Sequence, residues 1–175
     1  MSIIDILVYP HAQLTQVSRE VEQFDAQLQQ VVTNLIDTMA AAPGCVGIAA
    51  PQIGYAMRVV MVDVSSKPDI KHHGRLILVN PENLHWEGFA VGREGCLSVP
   101  DFTGNVVRAE RITLEAYDPT GQRQEYTLEG YEARAVQHEI DHLDGTLFLD
   151  RLVSRRSDLF KRKKYQGKPK TENPK

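Results

Sequence analysis

Two histidines and a glutamate late in the sequence have the spacing of a metal site. His138 and His142 are four residues apart within residues 137–145, so on an α-helix they lie one above the other and could bind one cation. Glu139 is rotated by about 100° around such a helix, which leaves it free to accept a proton beside that cation. Because so short a pattern recurs by chance, a charged and solvated helix face is the alternative interpretation.

Cys96, within residues 94–100, is the candidate third ligand. A catalytic tetrahedral site needs three protein ligands and one open position for water, and a thiolate is well suited to join two imidazoles. Taken alone, a cysteine is more often a small buried apolar residue, and it could also be a nucleophile paired with a histidine. The nucleophile interpretation leaves the histidine pair without a role. Cys45 is a weaker ligand candidate, because its loop of glycine and alanine offers no partner at an informative spacing.

Composition favours one globular domain. The chain has 175 residues, 42% of them hydrophobic, which is enough for a single core. No run approaches 18 apolar residues and no signal-peptide pattern is present, so we expect no membrane partner. Two cysteines are too few for a disulfide scaffold, so we expect free thiols or ligands.

Charge divides the chain into two parts. Residues 1–153 contain 11 Lys and Arg and 21 Asp and Glu, a net charge of −10, whereas residues 154–175 contain nine and two, a net charge of +7. We therefore predict a domain over residues 1–153 and a basic tail over residues 154–175 that is partly helical or disordered. Helical turns within residues 154–165 would expose Leu159 and Phe160 to a partner.

The pattern of apolar residues predicts an α+β fold. A helix is expected after Asp25 as N-cap, because apolar residues then recur at spacings of three and four as far as Met39. The Gly- and Pro-rich residues 44–54 are not expected to be helical. Gly130 begins a second helix that carries the histidines. Strands are expected at residues 3–8, 57–64, 75–80, 84–92, 106–117, 122–128 and 147–149.

The order of these elements specifies the architecture. A turn at residues 118–121 joins two of the strands in a hairpin immediately before the histidine helix. We therefore expect antiparallel β-sheets around a central metal-binding helix, with an N-terminal helix and the C-terminal basic tail.

Three runs of residues together resemble the signature motifs of the peptide deformylases. They are residues 47–52 (Gly-Ile-Ala-Ala-Pro-Gln), 94–98 (Glu-Gly-Cys-Leu-Ser) and 137–142 (Gln-His-Glu-Ile-Asp-His). The likeness extends over residues 3–152. It implies a metal-dependent amidohydrolase that removes the N-formyl group from the initiator methionine of newly made proteins and releases formate. It also implies a location in the bacterial cytoplasm, or else in an organelle.

The resemblance assigns a metal site. Cys96, His138 and His142 would bind one divalent ion, and Glu139 would be the general acid and base. The family's ion is typically Fe2+ in the cell, whereas ligand chemistry alone would favour Zn2+ for a Cys-His-His set. We therefore expect Fe2+ in vivo, with Zn2+ or another divalent metal in the isolated protein.

The other motif residues would form the substrate site. Gln52 and the backbone N–H of Leu97 would hold the oxygen of the tetrahedral intermediate, while Gly47 and Ile48 would bind the extended peptide. The expected partner is a nascent formyl-methionine peptide, and DNA is not expected to bind. Because that substrate leaves the ribosome, the basic tail is expected to contact ribosomal RNA or protein.

One residue departs from the family pattern, and two other functions fit part of the sequence. The first motif usually has a glycine where this chain has Cys45, which changes the backbone freedom beside the cleft and places an oxidisable thiol there. A zinc endopeptidase uses the same two histidines and glutamate but takes its third ligand downstream, and no histidine follows His142. An inactive relative that binds nucleic acid or the ribosome through the tail fits poorly with a complete set of motif residues.

Overall fold

The computed structural model describes residues 2–163. Within this part of the chain the α-helices are α1 (Ala26–Ala40), α2 (Gly130–Leu143) and α3 (Arg155–Asp158). The strands are β1 (Gly47–Ala49), β2 (Val59–Val62), β3 (Leu76–Cys96), β4 (Val99–Tyr117), β5 (Arg123–Glu129) and β6 (Leu159–Lys161). Short 3-10 helices lie at Ala12–Thr15, Ala50–Ile53 and Phe148–Arg151. The α+β prediction is confirmed.

Helix α1 begins and packs as its sequence predicts. The Asp25 carboxylate accepts a hydrogen bond from the Leu28 backbone N–H at 3.1 Å, which satisfies one of the unpaired donors of the first turn. The apolar stripe of the helix is buried against β1 and β2, where Ile48 and Val59 are fully enclosed. Helix α1 therefore covers one side of the strand that begins the first motif.

All six strands belong to one antiparallel sheet. Its order is β1-β2-β3-β4-β5, and β6 pairs with the start of β4 at Phe102, Thr103 and Gly104. Strands β3 and β4 form a long hairpin that is closed by a two-residue turn at residues 97–98. The strands predicted at residues 75–80 and 84–92 are both parts of β3, because the turn signals between them produce register shifts instead of a chain reversal.

Helix α2 crosses the inner face of the sheet. Eleven of its 14 residues are buried, so it is the central helix that the sequence predicts. Its apolar residues Val136 and Ile140 pack against Leu78, Ile112 and other residues of the strands. Burial of each such side chain contributes about 1.5–3 kcal/mol to folding. The helix that carries the histidines is therefore held by the main core.

Gln137 fixes α2 to β4 by backbone-like pairing. Its Oε1 accepts a hydrogen bond from the Ala109 N–H at 3.1 Å, and its Nε2 donates to the Ala109 carbonyl at 2.9 Å. This buried amide replaces a partner strand at that point of β4. Gln137, the residue immediately before His138, thus fixes the position of α2 along β4.

Three local predictions were wrong. Residues 3–8 are extended but form no strand, because they make isolated backbone hydrogen bonds, such as Leu7 N–H to the Gln52 carbonyl at 2.8 Å. Residues 147–149 overlap a 3-10 helix, since the Asp150 carboxylate accepts from the Leu147 N–H at 2.9 Å and turns the chain. Residues 44–54 include the 3-10 helix Ala50–Ile53, which has proline in its first turn, where the missing N–H costs nothing.

The beginning of the basic tail is folded onto the sheet. The helical turn predicted within residues 154–165 is present as α3, whereas Leu159 and Phe160 are half-buried in β6, so the prediction that they are exposed in such a turn was wrong. Residues 164–175, including the rest of the predicted tail, lie outside the described residues, and the boundary after residue 153 stays a prediction. In residues 2–163, no helix combines the length and the apolar character needed to span a bilayer.

Candidate metal centre

Strand β3 and helix α2 bring the three predicted metal ligands together. Cys96 is the last residue of β3, and His138 and His142 are one turn apart on α2. One ligand atom from each residue lies within 4.8 Å of the other two, and all three residues are buried. Of these ligand atoms, Cys96 Sγ and His142 Nε2 lie within hydrogen-bond distance of each other, at 3.3 Å.

This arrangement fits a divalent transition-metal ion. With metal–ligand bonds of about 2.0–2.3 Å, the ligand atoms of a tetrahedral site lie roughly 3.5 Å apart, close to the 3.3 Å between Cys96 Sγ and His142 Nε2. One thiolate and two imidazoles form a donor set that zinc and ferrous iron both accept. Burial lowers the pKa of His142 well below its ordinary value, which keeps the ring neutral and able to bind a metal.

Glu94 orients the first histidine ligand. Its Oε1 lies 2.8 Å from His138 Nδ1, so the other ring nitrogen, Nε2, remains to face the centre. Burial opposes the ionisation of Glu94, but hydrogen bonds from His138 and Arg108 hold the pKa of this carboxyl well below its usual range. Glu94 is therefore a carboxylate that fixes both the tautomer and the ring angle of His138.

A buried ion network surrounds Glu94. Arg108 donates two hydrogen bonds to its carboxylate, each at 2.9 Å, and a third to Asp141 at 2.6 Å. Arg134 donates to Glu94 Oε2 at 2.8 Å, and Arg151 donates to Asp141 at 2.7 Å. The network therefore joins β3, β4 and α2 behind the metal ligands.

The residues of this network were not predicted as site residues. Glu94 and Asp141 lie inside the second and third motifs, so their position beside the ligands was the available signal. Arg108 gave none, because it pairs with Ala90 in the register of β3 and β4, and only this pairing brings its long side chain to Glu94.

Glu139 lies beside His138 with one oxygen unpaired. Its Oε2 is buried and has no hydrogen-bond partner among residues 2–163. Burial raises the pKa of Glu139 to about 7, the range in which a carboxyl group is an efficient general base at neutral pH. A buried oxygen without a protein partner is the group expected to contact water or substrate.

Gln52 is aimed at the cysteine ligand by two neighbours. Its Oε1 accepts from the Ala49 N–H at 2.9 Å, which fixes the amide so that Nε2 points to Ser98 Oγ at 3.1 Å and Cys96 Sγ at 3.5 Å. Leu97 follows Cys96 in the turn between β3 and β4. Ser98 is a contact that the sequence did not indicate.

Cys96, Leu97 and His138 line a cleft of about 230 Å³, and Gly47 and Ile48 differ in how they could contact a substrate there. Gly47 lines it, and a Cβ atom there would lie 2.5 Å from Glu139 Oε1. The Ile48 side chain is fully buried in the core beside α1, so a substrate could contact this residue only through its backbone.

Cys45 lies in the cleft wall but outside the group of three ligands. Its Sγ donates a hydrogen bond to the Gly47 carbonyl at 3.0 Å. Burial raises the pKa of Cys45 to about 11, so its thiol is protonated at neutral pH. The Cys45 side chain therefore supports the first motif by bonding to the backbone of Gly47.

Comparison of the sequence with known proteins gives one consistent result. A family model described as polypeptide deformylase matches residues 3–158. A peptide deformylase of Alkalilimnicola ehrlichii is 44% identical over 163 residues, which are 93% of this chain and 89% of that protein. A peptide deformylase of Thermodesulfovibrio yellowstonii is 39% identical over 168 residues, which are 96% of this chain and 99% of that protein.

Solved structures agree with the sequence comparison. A peptide deformylase from Legionella pneumophila superimposes with a TM-score of 0.79 at 42% identity, covering 86% of each chain. A peptide deformylase from Ehrlichia chaffeensis in complex with actinonin gives a TM-score of 0.82 at 33% identity, covering 89% of this chain and 92% of that one. The similarity thus extends over the elements that hold the site.

Proposed function

This chain belongs to the polypeptide deformylase family, and from that premise we propose how its own residues carry out the reaction. Members of the family are metal-dependent hydrolases that remove the N-formyl group from nascent peptides, and this chain is such an enzyme. The observation that carries the proposal is the convergence of Cys96, His138 and His142 beside the unpaired oxygen of Glu139.

In this proposal Cys96, His138 and His142 hold one divalent ion. When bound, such an ion supplies Lewis acidity toward the formyl carbonyl group and toward water. We further propose that it is Fe2+ in the cell, as the family resemblance implies, although the donor set also accepts Zn2+. Glu94 supports the site by holding His138 in the binding orientation.

Glu139 moves the proton. It accepts a proton from water as the water oxygen bonds to the formyl carbon, and a pKa near 7 suits this transfer at neutral pH. It then returns the proton to the amine nitrogen as the carbon–nitrogen bond breaks. The products are formate and a peptide with a free N-terminus.

Gln52 and Leu97 stabilise the charge that forms on the former carbonyl oxygen. The Gln52 amide is held by Ala49 and Ser98, so its Nε2 needs no reorganisation when the charge develops. We assign the second donor to the backbone N–H of Leu97. One such donor contributes about 3–4 kcal/mol to the lowering of the barrier in comparable sites.

The peptide substrate is proposed to bind along β1. This strand lies at an edge of the sheet and, within the described part of the chain, pairs only with β2, so its other side can accept an extended peptide. Gly47 lies on that strand and in the cleft wall, where the absence of a side chain gives the peptide access to the backbone.

The site of action follows from the substrate. Formyl-methionine begins newly made chains, so we propose that the enzyme acts in the bacterial cytoplasm on peptides that leave the ribosome. The basic residues 154–175 favour contact with ribosomal RNA or protein by salt-dependent attraction. Removal of residues 164–175, which leaves β6 in place, should weaken co-sedimentation with ribosomes at low salt.

Metal analysis and product assays on one sample test this function. Protein purified without oxygen should contain about one divalent ion per chain and release formate from formyl-Met-Ala-Ser. An acetylated peptide with internal bonds should remain intact, which separates this enzyme from a zinc endopeptidase. Formate release by metal-free protein, or cleavage of internal bonds, would contradict the proposal.

A further inference from the structure

Besides Arg134, two arginines outside the three motifs line the cleft that contains Cys96 and His138. Arg93 lies on β3, three residues before Cys96, and Arg162 directly follows β6 in the basic tail. Both residues line the same cleft as Gly95 and Leu97. The reaction described above assigns them no role.

Arg93 is held in place by neutral groups. Its Nε donates to Asn105 Oδ1 at 3.0 Å and its Nη1 donates to Thr103 Oγ1 at 3.3 Å, both on the neighbouring strand β4. Its guanidinium carbon lies 3.6 Å from the centroid of the Phe160 ring of β6, a cation–π contact. These contacts orient the cation without neutralising its charge.

Arg162 reaches the backbone beside the cysteine ligand. Its own N–H donates to the Asp101 carbonyl at 2.8 Å, which continues the pairing of β6 with β4. Its Nη2 lies 2.6 Å from the position that a Cβ atom would take on Gly95, so the guanidinium rests directly on the chain next to Cys96. A glycine at position 95 makes this approach possible.

Neither arginine is neutralised by the described part of the chain. Among residues 2–163, no carboxylate lies within ion-pair distance of Arg93 or Arg162. The nearby carboxylate of Glu94 is already shared by Arg108 and Arg134. The cleft thus has a positive wall, although residues 1–153 carry a net charge of −10.

We propose that Arg93 and Arg162 bind a carboxylate side chain of the formyl peptide and make this enzyme prefer substrates with an acidic residue soon after the methionine. The inference deepens the proposed function and rests on it. The formyl carbon must react beside Cys96, so the residues that follow methionine must occupy the rest of the cleft, where the two guanidiniums lie. Guanidinium groups recognise carboxylates by paired, charge-assisted hydrogen bonds.

The position of the arginines favours a peptide over ribosomal RNA as their ligand. They share a cleft of about 230 Å³ with Glu139, and an RNA helix is too wide to enter it. Lys161 precedes Arg162 on β6 but does not line the cleft, which makes it a suitable control residue.

Pairs of amidated peptides that differ only in a side-chain carboxylate or carboxamide test the preference for an acidic residue. We would compare kcat/KM for formyl-Met-Glu-Ser-NH2 and formyl-Met-Gln-Ser-NH2, and then for peptides with Glu or Gln one position later. We expect the Glu peptide of at least one pair to be favoured by about threefold to tenfold, as for a partly shielded ion pair. The preference should lie in KM, because the charge is remote from the reacting bond, and it should fall as salt rises.

The variant R162Q should bring the Glu to Gln ratio close to one, while R162K should retain most of it and K161Q all of it. A wild-type ratio near one at both positions, an equal loss in K161Q, or an equal loss for Glu and Gln peptides in R162Q would overturn the proposal. If R162Q instead weakens only ribosome co-sedimentation, the tail arginine belongs to a ribosome-binding surface. Wild-type protein inactive on every formyl peptide would refute the proposed function itself.

Discussion

Glu94 Oε1 and His138 Nδ1 are 2.8 Å apart, and this contact connects the metal ligands to the buried ion network. Exchange of Glu94 for glutamine keeps an oxygen that can accept from His138 but removes the charge that faces Arg108 and Arg134. Since uncompensated buried charges are costly, we expect E94Q to lower the free energy of unfolding by about 3–5 kcal/mol. Metal affinity should fall by about tenfold to a hundredfold.

Denaturant unfolding and metal competition measure the two effects separately. A matched pair of variants, R108Q and R123Q, gives the control, because Arg108 is buried in the network whereas Arg123 pairs with Glu115 at the surface. R108Q should be strongly destabilised and R123Q should unfold like the wild type. Equal stability of R108Q and the wild type would show that the network is not structurally important.

Gly47 is predicted to be irreplaceable for a steric reason. A Cβ atom there would lie 2.5 Å from Glu139 Oε1, so G47A must displace the carboxylate that moves the proton. We expect the kcat of G47A to fall by about a hundredfold or more, which is within the range of rate enhancement attributed to general acid–base catalysis. The bound metal should remain, because Gly47 is not one of the three candidate ligands. Metal content and formate release on the same preparation check both parts.

The control for this variant is G74A. Gly74 has a φ of +72° and open space around its Cβ position, and it is not among the residues that line the cleft. That exchange should lower stability through backbone strain and leave kcat unchanged. An active G47A enzyme would mean that Glu139 can move without loss of its function.

The contrast between local patterns and long-range contacts shows which parts of the structure could be predicted from the sequence. The histidine spacing and the Asp25 cap are local patterns, so helices α1 and α2 and the two candidate histidine ligands were predicted from neighbouring residues. Arg108 meets Glu94 only through the register of β3 and β4, and Arg162 reaches the cleft only because β6 folds back. Such long-range pairings leave no periodic signal in the sequence. Residues 3–8 were wrongly predicted as a strand for the same reason, whereas residues 147–149 turn because of the local contact between Asp150 and the Leu147 N–H.

Glu139 should be needed for turnover but not for metal binding. Its Oε2 has no partner among residues 2–163, and E139Q keeps the size of the side chain while removing the base. We expect kcat to fall by about 10²–10⁴-fold with unchanged metal content. Single-turnover formate release is the direct measurement. An active, metal-loaded E139Q enzyme would contradict the assigned proton transfer.

Loss of a ligand should appear as loss of stability. The ligand atoms converge from β3 and α2, so an ion that binds only the folded chain stabilises it by about 4 kcal/mol at a thousandfold excess over Kd. We expect H142A to lose most of its metal and to unfold roughly 10 °C below the loaded wild type. H85A, which changes an exposed residue of β3, is the control.

Chelation provides the second arm of that experiment. Removal of the metal should lower the Tm of the wild type and leave the Tm of H142A nearly unchanged. A similar fall in both proteins would show that the lost stability comes from packing around His142 and not from the ion.

Cys45 should support the first motif without being essential. Its thiol donates to the Gly47 carbonyl at 3.0 Å and lies outside the group of candidate ligands, so C45G should keep turnover within about tenfold, or roughly 1.4 kcal/mol of barrier.

Because burial raises the pKa of Cys45 to about 11, only a small fraction of the thiol ionises at neutral pH. Alkylation of Cys45 in the folded protein should therefore be far slower than in denaturant and should accelerate as the pH rises toward 11. Peptide mass spectrometry after timed iodoacetamide treatment measures this rate. Rapid labelling at pH 7 would show an exposed thiolate, and near-total inactivity of C45G would show that the thiol takes part in the reaction.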